Sequence, residues 1–154
     1  MSGAVSRLAV AVVLALAADG YMPEVIVAGI TWADGNPNWD DLRVRDFCPI
    51  TTRDGSRGGG ASQFLEVLRQ EVIPLVEGTY RCDAADRALV GSSFGGTFAL
   101  HALFQAPELF RRYVTTSVPY FGEFPDLFAG YEEALAATGG LAAPWRRRRA
   151  AAVA

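Results

Sequence analysis

An α/β architecture, with a mostly parallel sheet flanked by helices, is the fold class this sequence predicts. Two observations carry it. A continuous β-branched run at 23–32, a short buried stretch at 87–91 and another short stretch at 111–118 read as strands. Helical periodicity fills the stretches between them, and strands alternating with helices at this spacing imply right-handed crossovers in a parallel sheet.

Taken in order, "MSGAVSRLAVAVVLALAADG" combines one arginine with an apolar run over 8–18. It resembles a short secretory signal, and is too short to span a bilayer. A buried helix stopped at Asp19-Gly20 is the preferred reading. That reading places the chain in the cytoplasm; an exported protein is the alternative if residues 1–18 act as a signal. The run "PEVIVAGITW" is a strand with both faces covered. "DGNPNWDD", 34–41, is dense in turn formers and reads as loop, and 42–62 continues without periodicity into Gly58, Gly59 and Gly60. In "SQFLEVLRQEVIPLVEGTY", Phe64, Leu65, Leu68, Val72, Leu75 and Val76 recur at helical spacing. Ser62 is placed to cap that helix, Gly78 to end it and Pro74 to kink it. "RALVGSS" is a strand, "FGGTFALHALFQAP" a helix closed at Ala106-Pro107, and "RRYVTTSV" another strand. Beyond Tyr120 a short helix is expected near 131–137. The alanine-rich end with Arg146, Arg147, Arg148 and Arg149 reads as a solvated, disordered tail. The division expected is a partial domain over 1–122, followed by a short helix and tail over 123–154.

The 154 residues suffice for one domain with a real core. A net charge of −3 gives no reason to expect a nucleic-acid partner, and no membrane partner is expected either. Cys48 and Cys82 form neither a metal-site spacing nor a disulfide framework, so two free thiols and no metal are expected.

The segment with chemistry in it is Gly91-Ser92-Ser93-Phe94-Gly95, followed by Gly96. It fits G-x-S-x-G between a strand and a helix. That context lifts a serine onto a sharp, strained turn, with Gly91 and Gly95 keeping side chains out of the crowded corner. The Phe94 amide then lies at the helix start, aimed at a developing oxyanion. The bland alternative is a glycine-rich turn with a structural serine, or a phosphate cradle. The cradle lacks its Gly-Lys-Ser/Thr ending in a chain that contains no lysine.

On these residues the chain resembles the putative esterase family of α/β-hydrolases that includes enterochelin (siderophore) esterases. The resemblance extends through "MPEVIVAGITW", "RVRDFCPITT", "GGASQFLEVLRQEVIPLVEGTYR" and "DRALVGSSFGGTFALHALFQAPELFRRYVTTS", roughly residues 20–120. Ser92 departs from the histidine often found there. The resemblance implies an incomplete α/β-hydrolase core, no cofactor, a small-molecule ester substrate, Ser93 as nucleophile and Phe94 as an oxyanion donor.

His101, the only histidine, sits eight residues beyond Ser93 on the same expected helix. Eight residues rise about 12 Å, whereas a base must approach to about 3 Å. His101 is therefore expected to be a packed helix residue. In the family, the histidine and acid lie well downstream. Asp126 is a formal candidate for the acid with nothing to orient. The strand between "VIVAGI" and "ALVG" and the turn supplying a second oxyanion amide also lie outside what is recognisable, so the chain reads as the middle of such a domain, truncated at both ends. Unpaired strand edges would then favour self-association. The expected function is a serine carboxylic-ester hydrolase by lineage, weak or inactive in this chain. The alternatives are a non-catalytic binding module, a truncated gene product and acyl transfer. Arg45 and Asp46 are candidates for the site entrance or simply for each other. Trp32, Trp39 and Phe47 are candidates for an apolar pocket or for core cover.

Overall fold

The computed structural model describes residues 2–31, 38–51, 55, 57–119 and 123–137. The segment expected as a disordered tail, 141–154, and Trp32 lie outside the described residues.

Strands β1 (Ala88–Ser92) and β2 (Arg112–Thr116) pair in parallel, Ala88 opposite Arg112 and Ser92 opposite Thr116. Helix α5 (Phe94–Gln105) makes the crossover a parallel pair requires and packs on both strands. Side chains alternate along β1, so Leu89 and Gly91 turn toward α5 while Val90 is 71% exposed. Among the described residues the sheet is thus covered on one face, so the stretch 87–91, expected as a buried strand, is only half-buried.

Residues 23–31, expected as a strand, belong to no ladder and are mostly exposed. A β-branched run becomes a strand only where its N–H and C=O groups find a neighbouring backbone, and the described sheet has only β1 and β2. Helix α1 (Ser2–Ala18) forms and stops at Gly20, whose φ of +75° supplies the left-handed residue of the stop, but it is not the buried helix expected: Val12, Leu14 and Leu16 are exposed because no described element covers them. The Tyr21 amide reaches back to the Leu16 carbonyl at 2.9 Å. No other described element packs against α1, and no described helix is long and apolar enough to cross a membrane.

Helix α2 (Trp39–Phe47) occupies a stretch expected as loop. Asp40 and Asp41, read there as turn formers, lie in its first turn, where carboxylates favour the positive end of a helix. Val44 anchors the helix by burial against Cys48 and Phe124. The glycine run after it is structural: Gly58 has φ +86°, and a Cβ there would meet the Ile50 carbonyl oxygen at 2.3 Å.

The long amphipathic helix is broken in phase. Helix α3 (Ala61–Val67) runs into a π turn (Leu68–Val72) and then α4 (Ile73–Thr79). Pro74 has no N–H for the carbonyl four residues back, and the wider turn just before it accommodates that loss. The π turn shifts the buried stripe by one position. Ile73 packs against the core while Leu75, expected on the apolar stripe, is 69% exposed. Gly60, not Ser62, is the N-cap, and no side chain caps this end.

The main core joins α3, the π turn and α5 through Ala61, Leu65, Leu68, Phe98, Ala102 and Ala106, closed by Leu109 and Phe110. Phe98 meets Phe47 at 5.8 Å and Phe64 at 5.0 Å between ring centroids. Burying a side chain of that size contributes about 3 kcal/mol. Helix α6 (Phe124–Ala137) begins seven residues before the helix expected near 131–137. It is held by Phe124 in the α2 cluster and by Tyr131 against Phe104 at 5.4 Å. Arg87 ties α4 to the start of β1, with Glu77 at 2.6 Å and the Leu109 carbonyl at 3.3 Å.

Candidate active site

Ser93 is the single residue between β1 and α5, with φ 57° and ψ −127°. No ordinary strand or helix uses that conformation, and holding a serine there costs on the order of 1–3 kcal/mol. Three hydrogen bonds over-determine it. The Ser93 amide donates to the Thr116 carbonyl at 3.0 Å, locking the corner to the end of β2. Its own carbonyl accepts from the Gly96 amide at 2.8 Å and the Thr97 amide at 3.1 Å, starting the helix. The residue is half-buried at the C-terminal end of the strands.

The glycines of the motif do different jobs. A Cβ on Gly91 would lie 2.0 Å from the Gly95 carbonyl oxygen, and one on Gly96 would lie 2.9 Å from Val118 Cγ2. Gly95 has nothing within 4 Å of where its Cβ would be. The strand is therefore pressed against the helix at Gly91 and Gly96. Gly95, expected to share that burden, does not.

Phe94 and Gly95 open α5, so their amides precede the first intrahelical bonds and point out of the helix N-terminus. Phe94's side chain packs on the Val44–Cys48–Phe124 cluster, which fixes the start of the helix. One turn further in, Thr97 is 0% exposed and its Oγ1 has no hydrogen-bond partner among the described residues. Sequence reading passed over Thr97, because only burial distinguishes it from any helical threonine.

His101 is 3% exposed. Its Nδ1 lies 2.7 Å from the Tyr131 hydroxyl of α6, and its Nε2 lies 3.3 Å from the Ser62 hydroxyl of α3. Burial lowers its pKa below the usual imidazole value, favouring the neutral ring, and burial raises that of Tyr131. The expectation of a packed histidine holds. Ser62, expected as a cap, instead turns its hydroxyl to this ring.

Arg45 and Asp46 pair with each other, Nε to Oδ1 at 2.6 Å and Nη2 to Oδ2 at 2.9 Å. Phe47 is in the core, and Trp39 lies at the surface under the Arg43 guanidinium, 5.0 Å from the ring centroid. Asp126 is exposed in the first turn of α6. Both thiols are free; Cys48 is buried, which pushes it up to about 11, and Cys82 is exposed.

A strand–corner–helix unit with a strained serine at the corner defines the α/β-hydrolase class. The family model for esterases, described as "Putative esterase", matches residues 7–152, and the chain belongs to that family. The match extends beyond residues 20–120, over which the motifs were legible.

The ferri-bacillibactin esterase BesA of Bacillus subtilis is 31% identical over 108 residues, covering 64% of this chain and 37% of BesA. The crystal structure of the BES protein from Bacillus cereus superposes with a TM-score of 0.69 at 25% identity, covering 80% of this chain and 47% of that one. An IroE-like serine hydrolase from Shewanella oneidensis gives 0.52 at 28% identity, over 60% of this chain and 32% of its own. The chain thus spans little more than a third of the curated relative.

Proposed function

We propose that the corner serine, Ser93, is the acyl-accepting nucleophile of an ester hydrolase acting on small carboxylic esters of the siderophore type. The observation that carries the reading is Ser93's backbone conformation, φ 57° and ψ −127°, with the Phe94 amide next to it at the head of α5. A serine merely structural at a turn has no need of a strained site that three hydrogen bonds must hold. BesA's name as a ferri-bacillibactin esterase supports the substrate class, and the Shewanella neighbour's as a serine hydrolase supports the nucleophile type.

In this reading Ser93 Oγ attacks the ester carbonyl carbon. The carbonyl oxygen takes up negative charge facing the Phe94 amide, and the C–O bond to the alcohol breaks to leave an acyl-serine that water later hydrolyses. The Oγ proton needs an acceptor. His101, the only histidine in the 154 residues, is engaged with Tyr131 and Ser62 instead. The chain by itself is accordingly a slow catalyst, because losing a triad base removes most of the acceleration. In this reading Arg45 and Asp46, paired at the end of α2, stand at the entrance to the site.

The test is labelling with a fluorophosphonate, followed by p-nitrophenyl acetate hydrolysis, in the chain and in Ser93→Ala. Adduct on Ser93, lost in the variant, supports the reading. Absence of any Ser93 adduct on folded protein ends it.

A further inference from the structure

The chain's histidine is not idle structure. The geometry points to Ser62 as a second, histidine-assisted nucleophile: its exposed hydroxyl meets His101 Nε2, and the opposite ring nitrogen is held by Tyr131. This inference is independent of the Ser93 reading.

A serine is activated when a base lies within hydrogen-bond reach and a third group orients the base. All three parts are present, drawn from three helices. Ser62 stands at the start of α3, open to solvent; His101 is buried in α5; Tyr131 comes from α6. The Ser62–His101 distance of 3.3 Å is long for a hydroxyl donor, as such contacts often are before a substrate binds. The Tyr131 contact at 2.7 Å is tight. In the tautomer whose Nδ1–H donates to the tyrosine oxygen, Nε2 carries its lone pair toward Ser62, and burial lowers the pKa of the ring, which favours its neutral form. Tilted packing of the Tyr131 ring on His101, centroids 5.8 Å apart, and on Phe104 at 5.4 Å limits its movement.

The step balances without a co-reactant beyond the acyl donor. Ser62 Oγ forms a bond to the carbonyl carbon of an ester as its proton passes to His101 Nε2. The carbonyl carbon–alkoxide bond breaks, and the Nε2 proton leaves with the alkoxide as an alcohol, giving O-acyl-Ser62. No carboxylate stands behind the imidazole here, only a tyrosine hydroxyl. The site therefore takes activated acyl donors such as aryl esters, rather than ordinary alkyl esters, and reacts with a fluorophosphonate at phosphorus, fluoride leaving as the proton passes to His101. Tyr131 is a positioning residue that acts through His101.

The probe is a fluorophosphonate, read by peptide mass spectrometry after trypsin. Cleavage at arginine puts Ser62 in the peptide 58–69 and Ser92 and Ser93 together in 88–111, where fragment ions separate them. The expected result is an adduct on Ser62 formed about 10²-fold faster than on the exposed Ser92, the low end of the range for general-base assistance. Ser62→Ala abolishes the 58–69 adduct. His101→Asn slows it at least tenfold. Tyr131→Phe slows Ser62 labelling while leaving Ser93 labelling unchanged, a selectivity that loosened packing alone would not produce. If His101→Asn does not fold, as circular dichroism reports, the surface change Ser62→Ala and the mild change Tyr131→Phe decide the matter. An unmodified 58–69 peptide overturns the inference, as does an adduct whose rate ignores Tyr131→Phe. Adduct on Ser93 alone leaves the Ser93 reading standing and removes this one; adduct on Ser62 alone does the reverse.

Discussion

Substituting alanine at Gly91 and, separately, at Gly95 tests the geometry of the corner with one methyl group. At Gly91 the new Cβ would sit 2.0 Å from the Gly95 carbonyl oxygen, 2.4 Å from its carbon and 2.9 Å from the Gly96 nitrogen. All three are backbone atoms at the head of α5, so no side-chain rotation relieves the clash. Forcing a methylene into a packed site costs about 1–3 kcal/mol, and a rigid backbone partner places Gly91→Ala at or above the top of that range. At Gly95 the same methyl meets nothing within 4 Å. Gly95 is the second residue of the helix and has no positive φ, so alanine there stabilises by about 0.4–1 kcal/mol through the narrower freedom of the unfolded chain. The two changes therefore have opposite signs. For a chain of this size each kcal/mol moves the melting temperature by roughly 2–4 °C. Thermal melts followed at 222 nm should show Gly91→Ala well below the parent and Gly95→Ala slightly above it. Equal destabilisation of both variants, or a Gly91→Ala protein as stable as the parent, would refute the reasoning, because strand and helix would not then be in contact at Gly91.

Three further outcomes follow from buried groups. Thr97→Val replaces a fully buried, unpartnered hydroxyl by a methyl of similar shape and should stabilise the chain by about 1 kcal/mol in urea titration; a loss of that size would mean the hydroxyl has a partner. Because burial lowers the His101 pKa, the unfolded chain takes up this proton first on acidification. The stability it confers is complete above the ordinary value of 6.5 and is lost as pH falls toward the lowered folded value. Urea midpoints measured on either side of that value should diverge in the parent and less so in His101→Gln. Finally, one thiol should react promptly with an aromatic disulfide at mildly alkaline pH, the exposed Cys82. Cys48, buried and raised to about 11, should react only on unfolding.

The corner and its two strands were legible because their signals are local. Val90 and Val114 have strong β preference, Gly91 and Gly96 sit at fixed offsets from Ser93, and Pro107 stops the helix. Elements that depend on a distant partner were not legible. Residues 25–30 have the composition of a strand but lie in no ladder. Helix α2 was hidden by an Asp-rich opening that suits both a turn and a helix's first turn, and burial of Val44 beside Cys48 and Phe124 is what accompanies the helical choice. At the site, Ser93 could be read from its neighbours in sequence. The Ser62–His101–Tyr131 grouping could not, because its members are 39 and 30 residues apart and no spacing rule joins them.

The π turn ahead of Pro74 works as a one-residue vernier. An unbroken α-helix would send Leu75 inward and carry Glu77 off toward solvent. The inserted slip rotates α4 so that Glu77 comes to rest on Arg87, at the root of the strand that leads to Ser93. The placement of the corner is in this sense indexed by a miscount twenty residues upstream. Shortening the turn by a single residue would turn that index back one notch without touching any side chain at the corner itself.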